Sequence, residues 1–245
     1  MQQADRILTL EGARNVRDLG GFHTLDGRIT RWRTLYRSDS SHRFKPTAQE
    51  QLLALGLKTV IDLRESDEIE TKPSVFFASS EVSYCSRPFW GQSLPEGSGP
   101  DIQLGYIREL DECGQRLAAI CGELAQPDAL PALVHCAAGK DRTGVFIALL
   151  LATARVPRSA IVDDYVLTRT CLGEEYYAES RRWVEERGAA WEDYAYLFDT
   201  PPERMESTLE HLDRRWGGAD QYLIEHGLVP DTVQRLRELL TEPAA

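Results

Sequence analysis

The chain has 245 residues, 42% of them hydrophobic, enough for one well-filled core. Its 39 acidic and 28 basic residues leave a formal charge of −11, a poor match to nucleic acid or to an anionic membrane surface. A phosphate-bearing substrate would have to be met by local positive potential. The five cysteines, Cys85, Cys113, Cys121, Cys136 and Cys171, lie in no Cys-x-x-Cys spacing. That argues against a zinc site or disulfide framework and for a reducing, cytoplasmic setting. The longest apolar run, Val145–Ala154, is too short to span a bilayer, so no stable membrane insertion is expected.

Short strands are predicted over Leu19–Phe22 and Trp32–Arg37, with a turn at Asp26–Gly27 between them. Thr47-Ala-Gln-Glu50 reads as a capping box, opening a helix through Leu52, Leu53 and Leu55 that Gly56 closes. Lys58–Leu63 is a β-branched run suited to a buried parallel strand. After a turn-rich loop at 91–101, Leu104–Leu124 places apolar residues at 107, 110, 117, 120, 121 and 124, a helical period that Pro127 ends.

Ala132–His135 is a short apolar strand, residues 136–142 (CAAGKDR) form a small-residue loop, and Thr143–Ala154 is an apolar helix stopped before Pro157. The rest reads as helical. Ser159–Thr170 and Glu174–Arg187 are followed by Pro202–Trp216, which Thr200-Pro-Pro-Glu203 opens and Gly217–Gly218 closes. Two shorter helices lie near Asp220–His226 and Asp231–Leu240. The pattern predicts an α/β fold, a sheet flanked by helices with a helical C-terminal part from about residue 158, in one domain over 1–245.

Strand, glycine-containing loop and buried helix together make an anion cradle. A thiol attacks only as thiolate, and the N-terminus of the helix after Cys136 offers the positive potential that favours it. Backbone N–H groups from Ala137, Ala138, Gly139, Lys140, Asp141 and Arg142 can converge on a bound phosphate ion, because small residues at 137–139 let the chain curl. Arg142 adds a planar fork for two phosphate oxygens, and Thr143 can donate its hydroxyl to the Cys136 sulfur. The chemistry this predicts is two in-line displacements at phosphorus through a phosphocysteine intermediate. No metal or other cofactor is expected, since no carboxylate or histidine cluster of the two-metal type is visible.

On HCAAGKDRTG (135–144), NVRDLGG (15–21), LYRSDS (35–40), VIDLRESDE (60–68), DDYVLTR (163–169) and the WGG…YL…GL stretch (216–228), the chain resembles the atypical bacterial protein tyrosine phosphatases. That family also acts on phosphoserine, phosphothreonine and phosphoinositides. The resemblance covers nearly the whole chain and implies a central sheet with the phosphate loop at its C-terminal edge. It implies Cys136 as nucleophile, Arg142 as phosphate clamp, Asp141 as a candidate general acid, and Lys140 as a contact for further anionic groups. The implied substrate is a phosphorylated protein, a lipid head group or a small molecule.

One departure bears on the acid. Better-known tyrosine phosphatases carry it on a Trp-Pro-Asp loop, whereas the nearest analogue here, Pro88-Phe-Trp-Gly-Gln92, has no Asp. Asp141 and Asp62 are the candidates, Asp62 because strand C-termini in such sheets face the site, with Asp101 a third. Asp62 could equally pair with Arg64 or cap a turn. Arg17 or Asp18 could approach the cradle, or Asp18 could bond a turn. His135 should point to the opposite strand face from Cys136 and serve structure. Asp163 and Asp164 are expected to stabilise the dipole of their helix. The aromatic residues Tyr176, Tyr177, Trp183, Trp191, Tyr194 and Tyr196 suit core packing, or a partial lid over the site. Rival readings are a phosphatase of one soluble metabolite, a catalytically dead phosphate-binding module, and a rhodanese or arsenate reductase. The intact Cys136, Arg142 and Thr143, and the Lys-Asp-Arg-Thr-Gly ending, speak against the last three.

Overall fold

The computed structural model describes residues 6–88 and 102–244. Its main sheet has the order β1-β3-β6-β4-β5, where β1 is Arg17–Asp18, β3 Leu35–Ser38, β4 Thr59–Asp62, β5 Ser83–Ser86 and β6 Ala132–His135. All neighbours run parallel except β1, which is antiparallel to β3. Alternate side chains enter two separate apolar layers, as the pleat requires. Leu35, Ile61, Ala132 and Val134 join one layer, while Tyr36, Val60 and Leu133 join the other. Both faces are therefore covered, which is why the central strands read as continuous apolar runs.

The layer around Tyr36 is completed by Phe44, by Leu52 of helix α1 (Pro46–Ala54), and by Phe76. The other is larger. It is built by α3 (Ile102–Leu124), α4 (Asp141–Thr153), the first part of α5 (Arg158–Glu185), α7 (Pro202–Trp216), α8 (Ala219–Glu225) and α9 (Pro230–Leu240). Helix α4 is buried along its length from Arg142 to Leu151, so it can be apolar all round. The strand register places Ser38, His135 and Asp62 side by side. The segments leaving β3, β6 and β4 therefore emerge together at the C-terminal edge of the sheet, where ligand sites of parallel sheets form.

The structure departs from the expectations in identifiable ways. The first strand falls on Arg17–Asp18 and not on Leu19–Phe22, because the Asp18 carboxylate accepts from the Gly20 and Arg33 amides at 2.8 Å and turns the chain. Helix α1 has no Thr47–Glu50 capping box. Pro46, with its fixed φ and no N–H, occupies its first position, and Thr47 Oγ1 donates to Glu11 at 2.9 Å. The capping box is instead that of α2 (Ser66–Thr71), where the Glu65 amide donates to Glu68 at 3.0 Å. Helix α4 begins two residues earlier than expected, so Asp141 and Arg142 belong to its first turn.

Elements not foreseen are α2, the polar edge strand β5, α6 (Trp191–Phe198) and an antiparallel ribbon of β2 (Arg28–Thr30) with β7 (Thr241–Pro243). Pro88 closes the described part of the Pro88–Gln92 segment. Residues 89–92, the predicted loop at 91–101 and Asp101 lie outside the described residues.

The two predicted helices Ser159–Thr170 and Glu174–Arg187 form one run, α5, broken at Gly173 with φ 73° and ψ 167°. Only glycine adopts that backbone readily. A Cβ added there would meet no atom within 4 Å, so any penalty for Gly173→Ala is backbone strain and not a clash. Gly173→Ala should lower unfolding free energy by about 1–3 kcal/mol in urea titration. A substitution without effect would mean the break at 173 is not required by the packing.

Candidate active site

Cys136 follows β6 directly and is 3% exposed. The loop after it is shaped by what its carbonyls do. The Ser40 amide donates to the Ala137 carbonyl at 2.9 Å. Asn15 Nδ2 donates to the carbonyls of Ala138 and Gly139, both at 3.0 Å, and Arg37 Nη2 donates to that of Gly139 at 2.6 Å. In a trans peptide the carbonyl of one residue and the N–H of the next point opposite ways. Fixing three successive carbonyls outward thus turns the N–H groups of Ala138, Gly139 and Lys140 inward. Gly139 has φ +65°, and a Cβ there would lie 2.0 Å from the Ser38 carbonyl oxygen. No other residue fits.

Arg37 is itself fixed from behind. Asp164 of α5 accepts from Arg37 Nη1 at 2.7 Å and from Arg17 Nε at 2.8 Å. Arg17 also donates to the Asp164 carbonyl, to Thr168 Oγ1 at 3.0 Å and to Asn15 Oδ1. All of these groups are buried. Burial alone would raise the Asp164 carboxyl, but the two guanidiniums hold it down at about 2. Asp164 therefore anchors the loop and does not serve the dipole of its helix. Helix α5 starts at Arg158, leaving Asp164 well inside it.

The remaining loop residues are held from other elements. Asp141 Oδ1 accepts from Tyr106 Oη of α3 at 2.6 Å and lies 3.4 Å from Lys140 Nζ. Lys140 is buried and donates to the Leu197 carbonyl at the end of α6. Arg142 presents its fork to Glu68 of α2, with Nη2 to Oε1 at 2.9 Å, and Nη1 reaches the Leu63 carbonyl at 3.3 Å. The Thr143 hydroxyl is buried and has no hydrogen-bond partner among the described residues, so the expected bond to Cys136 is not made here.

Asp62 stands apart from this group. It is fully buried, accepting from Arg64 Nε at 2.9 Å and Nη2 at 2.6 Å, and from Tyr84 Oη at 2.7 Å. Burial would raise its carboxyl, but Arg64, His135 and Tyr84 together hold it below the usual value. His135 touches Ser41 Oγ at 3.3 Å and the Cys136 carbonyl at 3.2 Å, and burial pushes its basicity down. Arg17 and Arg64 are thus each paired with a carboxylate. The aromatic group does not join either core layer. Tyr176 packs on Tyr177 and Phe198, Trp191 stacks on Phe198, and Trp183 and Tyr194 are exposed. The sequence did not single out Arg37, Glu68, Tyr106 or the role of Asn15. A signal did exist for two of them: Arg37 and Glu68 lie in the polar segments LYRSDS and RESDE.

A sequence profile described as "Tyrosine phosphatase family" matches residues 8–242. This chain belongs to that family. It is therefore a phosphoric monoester hydrolase of the tyrosine phosphatase type. It is 26% identical over 211 residues to a tyrosine-protein phosphatase of Nostoc commune, covering 80% of this chain and 70% of that one. It is 28% identical over 280 residues to the triple specificity protein phosphatase PtpB of Mycobacterium tuberculosis, covering 96% and 99% respectively. Among solved structures, P. aeruginosa TpbA aligns with a TM-score of 0.32 at 18% identity, covering 73% of this chain and 88% of that chain. Tyrosine phosphatases need an anion cradle, and residues 136–142 lie where the converging amides would form one.

Removing the charge of Asp164 tests the anchoring. Asp164→Asn leaves two buried guanidiniums without a counter-charge and should lower stability by about 3–5 kcal/mol. Since the folded carboxyl is held at about 2, below its unfolded value, it stabilises the fold above about pH 4. That contribution should fade as pH falls towards 2 in wild type and be missing in the variant. Parallel acid unfolding curves for the two proteins would contradict it.

Proposed function

We propose that the chain hydrolyses phosphotyrosine-type monoesters through a phosphocysteine on Cys136. The observation that carries this reading is the run of three outward-bonded carbonyls directly after a cysteine at the N-terminus of a buried helix. In the first step the Cys136 thiolate attacks phosphorus, the Sγ–P bond forms, and the P–O bond to the leaving group breaks. Asp141 gives its proton to the departing oxygen. In the second step Asp141 takes a proton from water as that water attacks phosphorus, and the Sγ–P bond breaks to return the thiolate. Arg142 turns its fork from Glu68 to two phosphate oxygens as charge builds on them. The Thr143 hydroxyl, which has no hydrogen-bond partner among the described residues, would donate to the leaving sulfur.

Two facts favour Asp141 over Asp62 as the acid. Asp141 sits in the first turn of α4 with 28% of its side chain exposed, whereas Asp62 is fully buried and bound by Arg64 and Tyr84. An acid that must meet a leaving oxygen needs access to it. Cys136→Ser should lose nearly all turnover yet still bind tungstate, because serine is not a usable thiolate equivalent and the amides are untouched. Asp141→Asn should slow alkyl phosphates roughly 10²–10⁴-fold and activated aryl phosphates far less. Steady-state kinetics on a leaving-group series read this directly. If Asp62→Asn shows that discrimination and Asp141→Asn does not, the acid is Asp62.

We extend the proposal to phosphoserine, phosphothreonine and phosphoinositides, as the family resemblance implies. Multiply charged lipids would require the Lys140 ammonium to leave the Leu197 carbonyl for a second phosphate. Lys140→Ala should then reduce kcat/KM for a phosphoinositide at least about tenfold more than for 4-nitrophenyl phosphate. Equal losses on both would assign Lys140 to holding α6 against the loop.

A further inference from the structure

Behind the first turn of α4 lies a carboxyl that the reaction above does not use. Glu109 stands on α3 three residues after Tyr106, hence on the same helix face, and Tyr106 donates to Asp141. Glu109 is 5% exposed, and neither of its carboxyl oxygens has a hydrogen-bond partner among the described residues. The other acids of this region are all bound: Asp62 by Arg64, Glu68 by Arg142, Asp164 by Arg17 and Arg37.

An ionised carboxylate removed from water without a hydrogen bond is strongly disfavoured. The groups acting on Glu109 are Asp141 and Arg142 of α4, Cys136 of the loop, and Tyr222 of α8. Asp141 and a Cys136 thiolate oppose a further negative charge. Arg142 favours one but already faces Glu68. Burial first, then Asp141, push the Glu109 carboxyl well above the usual carboxylate range.

We propose that Glu109 is a positioning residue of the phosphatase centre, a buried carboxyl whose charge state sets the net charge of the loop and so its affinity for a phosphate dianion. While Glu109 keeps its proton, Arg142 and the inward amides face the dianion with one fewer opposing charge. When it loses that proton to solvent, a negative charge appears behind the loop and opposes binding. By linkage the effect is mutual: a bound dianion makes Glu109 harder to ionise. The inference rests on the phosphatase reading of this site but is tested by binding, without turnover.

Sulfate is a suitable probe because it stays a dianion across the pH range used. In Cys136→Ser, which removes the thiol, sulfate affinity measured by calorimetry should fall at least about tenfold from about pH 6 to about pH 10. In the double variant with Glu109→Gln, of the same shape and never charged, the fall should be under about threefold. Equal falls in the two proteins, or no fall in either, would overturn the proposal. A second reading needs no substitution at 109. In protein labelled with ¹³C at glutamate Cδ, one carbon should titrate above about pH 6, and saturating sulfate should move its midpoint upward. Glutamate carbons that all titrate below that pH, or a midpoint indifferent to sulfate, would also overturn it. Failure of the wild-type protein to hydrolyse 4-nitrophenyl phosphate would instead count against the phosphatase reading alone.

Discussion

Everything at the catalytic edge depends on one buried carboxylate held between two buried arginines. Asp164 neutralises Arg17 and Arg37, and this lets Arg37 and Asn15 reach the carbonyls of residues 138 and 139. Either arginine without Asp164 would be an uncompensated charge in a dry place, which a fold of ordinary stability cannot carry. The three partners come from three distant parts of the chain: the first strand, the third strand and the fifth helix. The loop at 136–142 is therefore a product of the whole tertiary structure. Its local sequence supplies small residues and a cysteine, but the direction of its amides is imposed from outside.

The positive groups of the site follow the same logic. In a chain of net charge −11, the cations of the loop itself, Lys140 and Arg142, are both buried and bonded. Arg142 is held by Glu68 and Lys140 by the Leu197 carbonyl, so each is already oriented before a substrate arrives. In the proposed reaction each exchanges that partner for substrate, a reorganisation that an incoming dianion has to drive. These contacts tie α2 and α6 to the state of the loop. Glu68 Oε2 accepts from both Arg142 Nη1 and the Glu65 amide, so Arg142 and the start of α2 share one oxygen.

The sequence made the strand–loop–helix unit legible because its signals are local: an apolar tetrad, small residues, then an apolar run bounded by prolines. Ala132–His135 and Pro202–Trp216 fall where the periodicity and the glycines put them. The break in α5 was visible as Gly173. What was not legible required contacts across long stretches of chain. Asp164 looks like any helix-opening acid until Arg17 and Arg37 are brought to it. Lys140 looks like a solvent-facing cation until α6 covers it. Glu109 occupies an apolar face of α3 and carries no pattern that marks it as buried. Pro46 misled in the opposite way: it sits one residue before a convincing capping sequence and takes over the first helical position.

The ribbon of β2 and β7 has a consequence for how the protein is made. Arg28 Nε donates to Thr241 Oγ1 at 2.8 Å, across a sequence separation of 213 residues. A ribosome adding about 5–20 residues per second needs roughly 10–40 seconds to deliver the second strand after the first. During that interval Arg28–Thr30 is paired on one side only, Thr30 with Gly21 and Phe22 and Arg28 with Thr24, and its other side is an open edge to which another chain can attach. The exposed window closes only once Thr241–Pro243 has been made. Arginine at position 28 and the polar turn at Asp26–Gly27 lie at the place where a nascent chain most needs protection from aggregation.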